Sequence, residues 1–240
     1  MDDEIQSLTR RDRWEIVLRK SVADHNVLPE TWYFKCKRKP KWKISRFKAR
    51  YCVRGDIQKR LSLKTLNSYS PVFQWSTVRL MLILQCILGF QSKSIDFINA
   101  FAQSDIPSGD PVSIELPRDF KSDGGQHDVV IKLKKILYGQ ADAARLWYEK
   151  LRNFLLERGF VMSKVDPCLF LSKTVICAVY LDDFLFWTCS HSEIDNVMKY
   201  FKEDGPSYNW EHSNGESVSE LLGVDIKTLD NGGFQFFKLD

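Results

Sequence analysis

Hydrophobic and polar positions along the 240-residue chain change rhythm several times, and each change marks an element. In the charged N-terminal stretch, Trp14, Ile16, Val17 and Leu18 stand at helical spacing and predict a surface helix leading into the domain. From Thr31 to Val53, aromatic and basic residues interleave around Pro40, which predicts a twisted hairpin with one packed and one basic face. Ser76 opens a helix through Leu80, Ile83, Leu84 and Ile87 that is apolar all round, so it is expected to be buried, with Gly89 as its stop. Gln91 to Phe97 alternates, which puts Ile95 and Phe97 on one side of a strand and Asp96 on the other.

Val112 to Leu116 and Asp128 to Leu133 read as strands with a turn signal at Asp123-Gly124-Gly125 between them. A helix capped by Asp142 carries Trp147, Leu151, Phe154 and Leu155 on one face and stops at Gly159. Short strands follow at Cys168 to Ser172, Val175 to Tyr180 and Phe184 to Thr188. Ser190 and Glu193 form the signature of a capping box for a helix through Phe201, with Gly205-Pro206 as its stop. Leu221 to Thr228 and Gly233 to Phe237 flank Asp230-Asn231-Gly232 as a last hairpin. This order of helices and antiparallel strands, without an internal repeat, is α+β.

Composition adds further constraints. With 44% hydrophobic and 28% charged residues the chain is an ordinary globular protein. It opens acidic and polar, and its most apolar run, Leu80 to Phe90, is about half a membrane span and contains Gln85, so neither export nor insertion is expected. The six cysteines form no CxxC pair and the four histidines no HxxxH pair, which argues against zinc and for free thiols in a reducing compartment. Charge is segregated: Thr31 to Arg60 holds 12 lysines or arginines against one acid, Asp56, while the rest of the chain has 23 against 30. Such a patch suits a polyanion, the alternative being a solvated charged face.

Chemistry concentrates in V-I-C-A-V-Y-L-D-D-F-L-F-W-T, Val175 to Thr188, where Asp182 and Asp183 interrupt two apolar arms. Carboxylates beside a core cost several kcal/mol unless compensated. Either they sit on a turn open to water or a cation stabilises them. Asp96, at the end of its own strand in K-S-I-D-F-I-N-A-F, strengthens the second alternative. Oxygen-only ligands select hard cations such as magnesium. Two such ions about 4 Å apart support in-line displacement at phosphorus.

Five blocks stand in order along the chain: F-K-A-R-Y-C-V-R-G-D (Phe47 to Asp56), Y-S-P-V (Tyr69 to Val72), I-D-F-I-N-A-F (Ile95 to Phe101), L-Y-G-Q-A-D-A-A-R-L-W-Y (Leu137 to Tyr148) and Y-L-D-D (Tyr180 to Asp183). In this the sequence resembles the reverse transcriptases of the Ty1/copia group of retrotransposons, from about Val27 to the C-terminus. The resemblance implies a right-hand polymerase fold, an antiparallel palm sheet flanked by helices together with fingers, with the thumb largely absent. It places an N-terminal extension at 1–26, fingers at about 27–90 and 110–140, and palm at about 91–109 and 141–240. Asp96, Asp182 and Asp183 become the catalytic ligands of two Mg2+ ions, for which Mn2+ can substitute. Phe101 becomes the ring under the incoming sugar, the alternative being plain core. Lys48, Arg50 and Arg54 match the block that meets the triphosphate, and Gly139 matches the glycine that lets backbone approach the nucleotide. Tyr180, Leu222 and Gly223 match primer-positioning residues.

The implied partners are an RNA or DNA template with its primer, deoxynucleoside triphosphates, and the RNase H and integrase regions of a parent polyprotein, with no membrane. The implied location is a cytoplasmic particle with access to the nucleus. Gln140 to Ala144 departs from the group's usual Ser-Pro turn. That departure and the short C-terminal end keep open a repurposed fragment that binds nucleic acid without polymerising. A third alternative is a polyanion-binding module confined to Thr31 to Arg60.

Overall fold

The computed structural model describes residues 2–22, 26–38, 43–58, 67–97, 100–108, 111–117, 128–203, 210–212, 220–221, 224–229 and 233–238. It divides into two compact units, Met1–Tyr69 with Phe101–Leu146, and Ser70–Ala100 with Trp147–Asp240.

The first unit is built on a four-stranded sheet and a long hairpin. Helix α1 (Asp2–Arg10) precedes β1 (Trp14–Leu18), so the apolar residues expected in a helix form a strand instead. The reason is long-range: β1 pairs antiparallel with β7 (Val129–Leu133), Trp14 opposite Leu133, more than a hundred residues away. The sheet continues through β6 (Val112–Ile114), antiparallel to β7, to β2 (Asn26–Leu28), which runs parallel to β6. The hairpin pairs β3 (Glu30–Arg38) with β4 (Ile44–Val53), with an irregularity at Lys37/Arg38, but the packed face expected along it is confined to its inner end, since Phe34 and Phe47 farther out are 63% and 78% exposed. Its inner end enters the core: Tyr51 is fully buried and its hydroxyl donates to the Glu115 carbonyl at 2.7 Å. Leu8, Trp14, Leu28, Val53, Ile114, Ile131 and Leu137 pack around it.

The second unit carries a six-stranded antiparallel sheet in the order β12-β5-β11-β10-β9-β8. These strands are β5 (Gln91–Phe97), β8 (Val161–Met162), β9 (Leu169–Leu171), β10 (Val175–Tyr180), β11 (Asp183–Thr188) and β12 (Trp210–His212). On one face of β11, Leu185 and Trp187 meet Val78, Met81 and Leu82 of helix α2 (Trp75–Leu88). On the other, Phe184 packs edge-on against Phe97 and against Phe201 of helix α4 (His191–Glu203). Phe201 in turn stacks on Phe154 of helix α3 (Ala143–Glu157) at 4.4 Å. A three-stranded sheet of β13 (Glu220–Leu221), β14 (Val224–Thr228) and β15 (Phe234–Lys238) completes the unit. The mixed helix-and-sheet class expected from the sequence is thus present.

Two local expectations change. Helix α2 ends at Gly89, whose φ of 67° is left-handed, but it is buried on one face only. Leu80 is 51% exposed, Ile83 54% and Ile87 72%. Its start is held from a distance: Asp166, itself buried, accepts hydrogen bonds from the Gln74 N–H at 3.1 Å and the Thr77 hydroxyl at 2.7 Å. Nor do Ser190 and Glu193 form a reciprocal box. Ser190 Oγ pairs with Ser192 Oγ, and the Glu193 carboxylate accepts from Thr174 at 2.9 Å. The turns at 123–125 and 230–232 and the stop at 205–206 lie outside the described residues.

Candidate functional site

Tyr180 stands opposite Asp183 in the β10–β11 ladder, which leaves Leu181 and Asp182 as a two-residue turn. Leu181 has φ 51°, a left-handed conformation that costs a side-chain-bearing residue about 1–2 kcal/mol. Two hydrogen bonds hold it there. Trp147 Nε1 donates to the Leu181 carbonyl at 2.7 Å, and the Phe97 N–H donates to the Asp182 carbonyl at 2.9 Å. Trp147 is fixed in turn by burial and by an edge contact with Phe97, ring centroids 5.2 Å apart.

Strand β5 is the other neighbour of β11, and its register sets Asp96 opposite Asp183. Residues opposite one another in an antiparallel ladder share a face of the sheet. Asp182 and Asp183 are half-buried. The side chain of Asp96 lies outside the described part of the structure. Among the described side chains no group of three or more histidines, cysteines or acids comes together. Tyr180, at the end of β10, packs against the α2-facing core.

In the first unit, Phe101 lies in a 3-10 turn (Ala100–Gln103) and meets Tyr138 edge-on at 5.6 Å. Arg50 reaches the same ring from β4, its guanidinium 5.0 Å from the centroid. The Tyr138 backbone is tied to the hairpin: its carbonyl accepts from the Val53 N–H at 2.8 Å. Gly139 follows with φ 88°, and a Cβ there would stand 2.2 Å from the Val53 carbonyl oxygen. A Cβ on Gly55 would stand 2.0 Å from the Gly139 oxygen. Two glycines therefore let two backbone segments touch where any side chain would force them apart. The departure at Gln140 to Ala144 is absorbed locally. Gln140 is buried with its Oε1 accepting from the Leu137 N–H at 2.6 Å, and Gln58 Oε1 accepts from the Ala141 N–H at 3.0 Å.

The three candidate cations differ. Lys48 is half-buried and faces Lys35 across the hairpin, two like charges in register. Arg50 is engaged with Tyr138. Arg54 is exposed and forms a two-pronged ion pair with Asp56, at 2.8 and 2.6 Å. That pair holds the Arg54 guanidinium firmly charged and lowers the Asp56 carboxyl through the same hydrogen bond. Leu222 and Gly223 lie outside the described residues. Tyr138, Gly55 and Trp147 had no role assigned in the sequence reading, although each stands inside one of the five blocks. Their signal was their place beside Gly139, beside Arg54 and on the inner face of a helix.

Comparison with known proteins follows the same lines. Residues 11–239 match the family model described as reverse transcriptase (RNA-dependent DNA polymerase). A retrovirus-related Pol polyprotein from transposon RE1 of Arabidopsis thaliana is 29% identical over 240 residues, covering 97% of this chain and 15% of that protein. One from transposon TNT 1-94 of Nicotiana tabacum is 30% identical, covering 77% and 14%. The Ty1-ER2 Gag-Pol polyprotein of Saccharomyces cerevisiae is 26% identical, covering 93% and 12%. A solved foamy viral protease–reverse transcriptase in complex with double-stranded DNA aligns with a TM-score of 0.46 at 14% identity, covering 93% of this chain and 33% of that one. The chain belongs to the reverse transcriptase (RNA-dependent DNA polymerase) family. Within it, the chain is a domain of the copia type, spanning 12–15% of the length of these polyprotein relatives. Among the described residues no helix is long and apolar enough to cross a membrane.

Proposed function

We propose that this chain is the catalytic part of an RNA-directed DNA polymerase, adding deoxynucleotides to a primer 3′-hydroxyl with Asp96, Asp182 and Asp183 as the essential acids. The observation that carries the proposal is the backbone register: Asp96 opposite Asp183, with Asp182 next to it in an anchored turn. Like charges directly opposite one another are destabilising, so acids in this arrangement suit a cation better than they suit each other. The donor set fits magnesium, being carboxylate oxygen only, and the three aspartates are the residues that would hold it. When bound, two such ions supply charge neutralisation for the attacking and leaving oxygens.

The protein's own part is positioning. The hydrogen bonds to the Leu181 and Asp182 carbonyls keep the turn from drifting, which matters because small displacements of a reacting group cost rate heavily. Arg50 is the best placed of the three cations to serve a triphosphate, since Tyr138 orients its guanidinium while the Arg54 charge is offset by Asp56. Phe101 acts as the sugar-selecting ring, held at its edge by Tyr138. We assign residues 91–109 and 141–240, with the six-stranded sheet, to a palm and residues 27–90 and 110–140 to fingers, after an N-terminal extension at 1–26. Template with primer and deoxynucleotides are the partners this activity requires; the RNase H and integrase regions of a parent polyprotein would accompany it in a retrotransposon particle.

The test is incorporation of labelled deoxynucleotides on an RNA template with a DNA primer, with and without magnesium, for the native chain and for Asp182→Asn. Magnesium-dependent extension that vanishes in the variant supports the assignment. Extension that survives in the variant, or a folded native chain that binds template and never extends it, refutes it.

A further inference from the structure

Strand β10 has two ends. One leads into the Leu181–Asp182 turn; the other, six residues away and therefore about 20 Å along the strand, begins beside the Ser172-Lys173-Thr174 turn. A groove of about 430 Å³ opens there, lined by that turn, by Arg158 and Gly159 just after α3, and by the outer face of α4 at Glu193, Asn196, Lys199 and Tyr200. Its lining holds three cations, Arg158, Lys173 and Lys199, against one carboxylate. That carboxylate, Glu193, already accepts from the Thr174 hydroxyl.

Arg158 and Lys199 have side-chain partners, and Lys173 is presented by an ordered turn. The Arg158 guanidinium sits over the Phe154 ring at 3.8 Å, reaches the Tyr200 ring at 5.8 Å, and donates to the Phe154 carbonyl at 3.4 Å. Lys173 rides on a tight turn in which Ser172 Oγ accepts from the Thr174 and Val175 N–H groups. Lys199 donates to Asn196 Oδ1 at 3.4 Å. A concave site with excess positive charge, hydroxyl and amide groups, and an accessible aromatic ring is the combination that grips a phosphodiester chain together with an unpaired base.

We infer that this groove is a second nucleic-acid contact, binding the backbone of a single strand at the end of the sheet remote from the aspartates. It rests on the polymerase proposal only for the source of that strand. A duplex is the weaker candidate, because Tyr200 offers a stacking face that a base already paired and stacked cannot use.

The experiment compares the native chain with Lys173→Glu/Lys199→Glu, with Tyr200→Ala, and with a control, Lys164→Glu/Lys227→Glu, which makes the same charge change at exposed lysines outside the groove lining. Affinity for a fluorescein-labelled oligo-dT is read by anisotropy across a salt series, with circular dichroism as the check on folding. The groove pair is expected to raise Kd about tenfold and to flatten the salt dependence by about 0.7 per lost contact. Tyr200→Ala is expected to weaken binding with the slope unchanged, since stacking releases no counterions. An affinity within twofold of native for the groove pair, or an equal loss in the control pair, overturns the inference. Magnesium-dependent primer extension, measured alongside at saturating primer–template, reports on the polymerase proposal by itself, so the two can fail separately.

Discussion

Asp183 stands directly across the β5–β11 ladder from Asp96, with Asp182 its neighbour in the turn. Two carboxylates in register repel by about 0.2–1 kcal/mol in water-exposed sheets. In chelator, Asp183→Asn is therefore expected to melt at or above the native temperature, while added magnesium raises the melting point of the native chain and leaves that of the variant unmoved. Thermal unfolding with EDTA and with magnesium checks this. A native chain indifferent to magnesium would remove the acids from the metal-binding role.

Gly139 and Gly55 give a sharper test of packing. Gly89 has positive φ but open space around its missing Cβ, so Gly89→Ala is expected to cost about 1–2 kcal/mol from the backbone alone. Gly139→Ala adds a clash with the Val53 backbone and Gly55→Ala one with the Gly139 backbone, and both are expected to exceed that cost in urea titration. Equal midpoints for the alanine variants of Gly89 and Gly139 would show that the two segments can separate cheaply.

Trp147→Phe keeps most of the buried ring and removes the donor to Leu181. Leaving that carbonyl unpartnered is expected to cost about 1–3 kcal/mol. Because the turn carries Asp182, the loss should fall on kcat with little change in nucleotide KM. A pure stability loss with native kcat would make Trp147 a core residue and nothing more.

Tyr138 touches both Phe101 and Arg50 through its ring. Edge-to-face and cation–π contacts are each worth about 0.5–1.5 kcal/mol. Tyr138→Ala is expected to raise the deoxynucleotide KM about tenfold, and Tyr138→Phe to leave it near native. Steady-state extension kinetics distinguish them.

The sheet also sets a pH limit. Burial pushes the Cys168 thiol up to about 12 and the fully enclosed Cys177 thiol well above its ordinary 9.0. Both stay protonated in the folded chain while the unfolded chain ionises above pH 9. Stability is thus complete below pH 9 and falls between 9 and 12, by at most about 1.4 kcal/mol per pH unit for each thiol. Urea midpoints from pH 8 to 10.5 should show this slope, made shallower by Cys168→Ala. At pH 8 the native chain should expose Cys86 and Cys189 to a thiol reagent and protect Cys168 and Cys177.

How much of this was legible in the sequence depends on the range of the forces involved. The hairpin of Thr31 to Val53, the strands around Asp96 and Asp183, and the Gly89 stop follow from local alternation and backbone preference, and they stand where the pattern puts them. Trp14 to Leu18 did not, because what makes it a strand is a partner at Val129 to Leu133 that no local window contains. Helix α2 is apolar all round, yet only the face carrying Val78, Met81 and Leu82 finds the sheet. The Asp166 contacts to Gln74 and Thr77 cross some ninety positions, and no spacing rule reaches that far. The acids were visible because carboxylates are conspicuous in apolar strands. Tyr138 and Trp147 were hidden because an aromatic that positions another residue looks like any other core aromatic.

Both anchors of the Leu181–Asp182 turn grip carbonyl oxygens rather than side chains. The scaffold thereby separates the identity of residue 181 from the location of the acids beside it. Side chains not branched at Cβ can be exchanged there while Asp182 and Asp183 stay in place, whereas valine or isoleucine would strain the turn. Position 181 is thus held by its backbone alone, so its side chain can vary in one mutational step while the turn that carries the acids keeps its place.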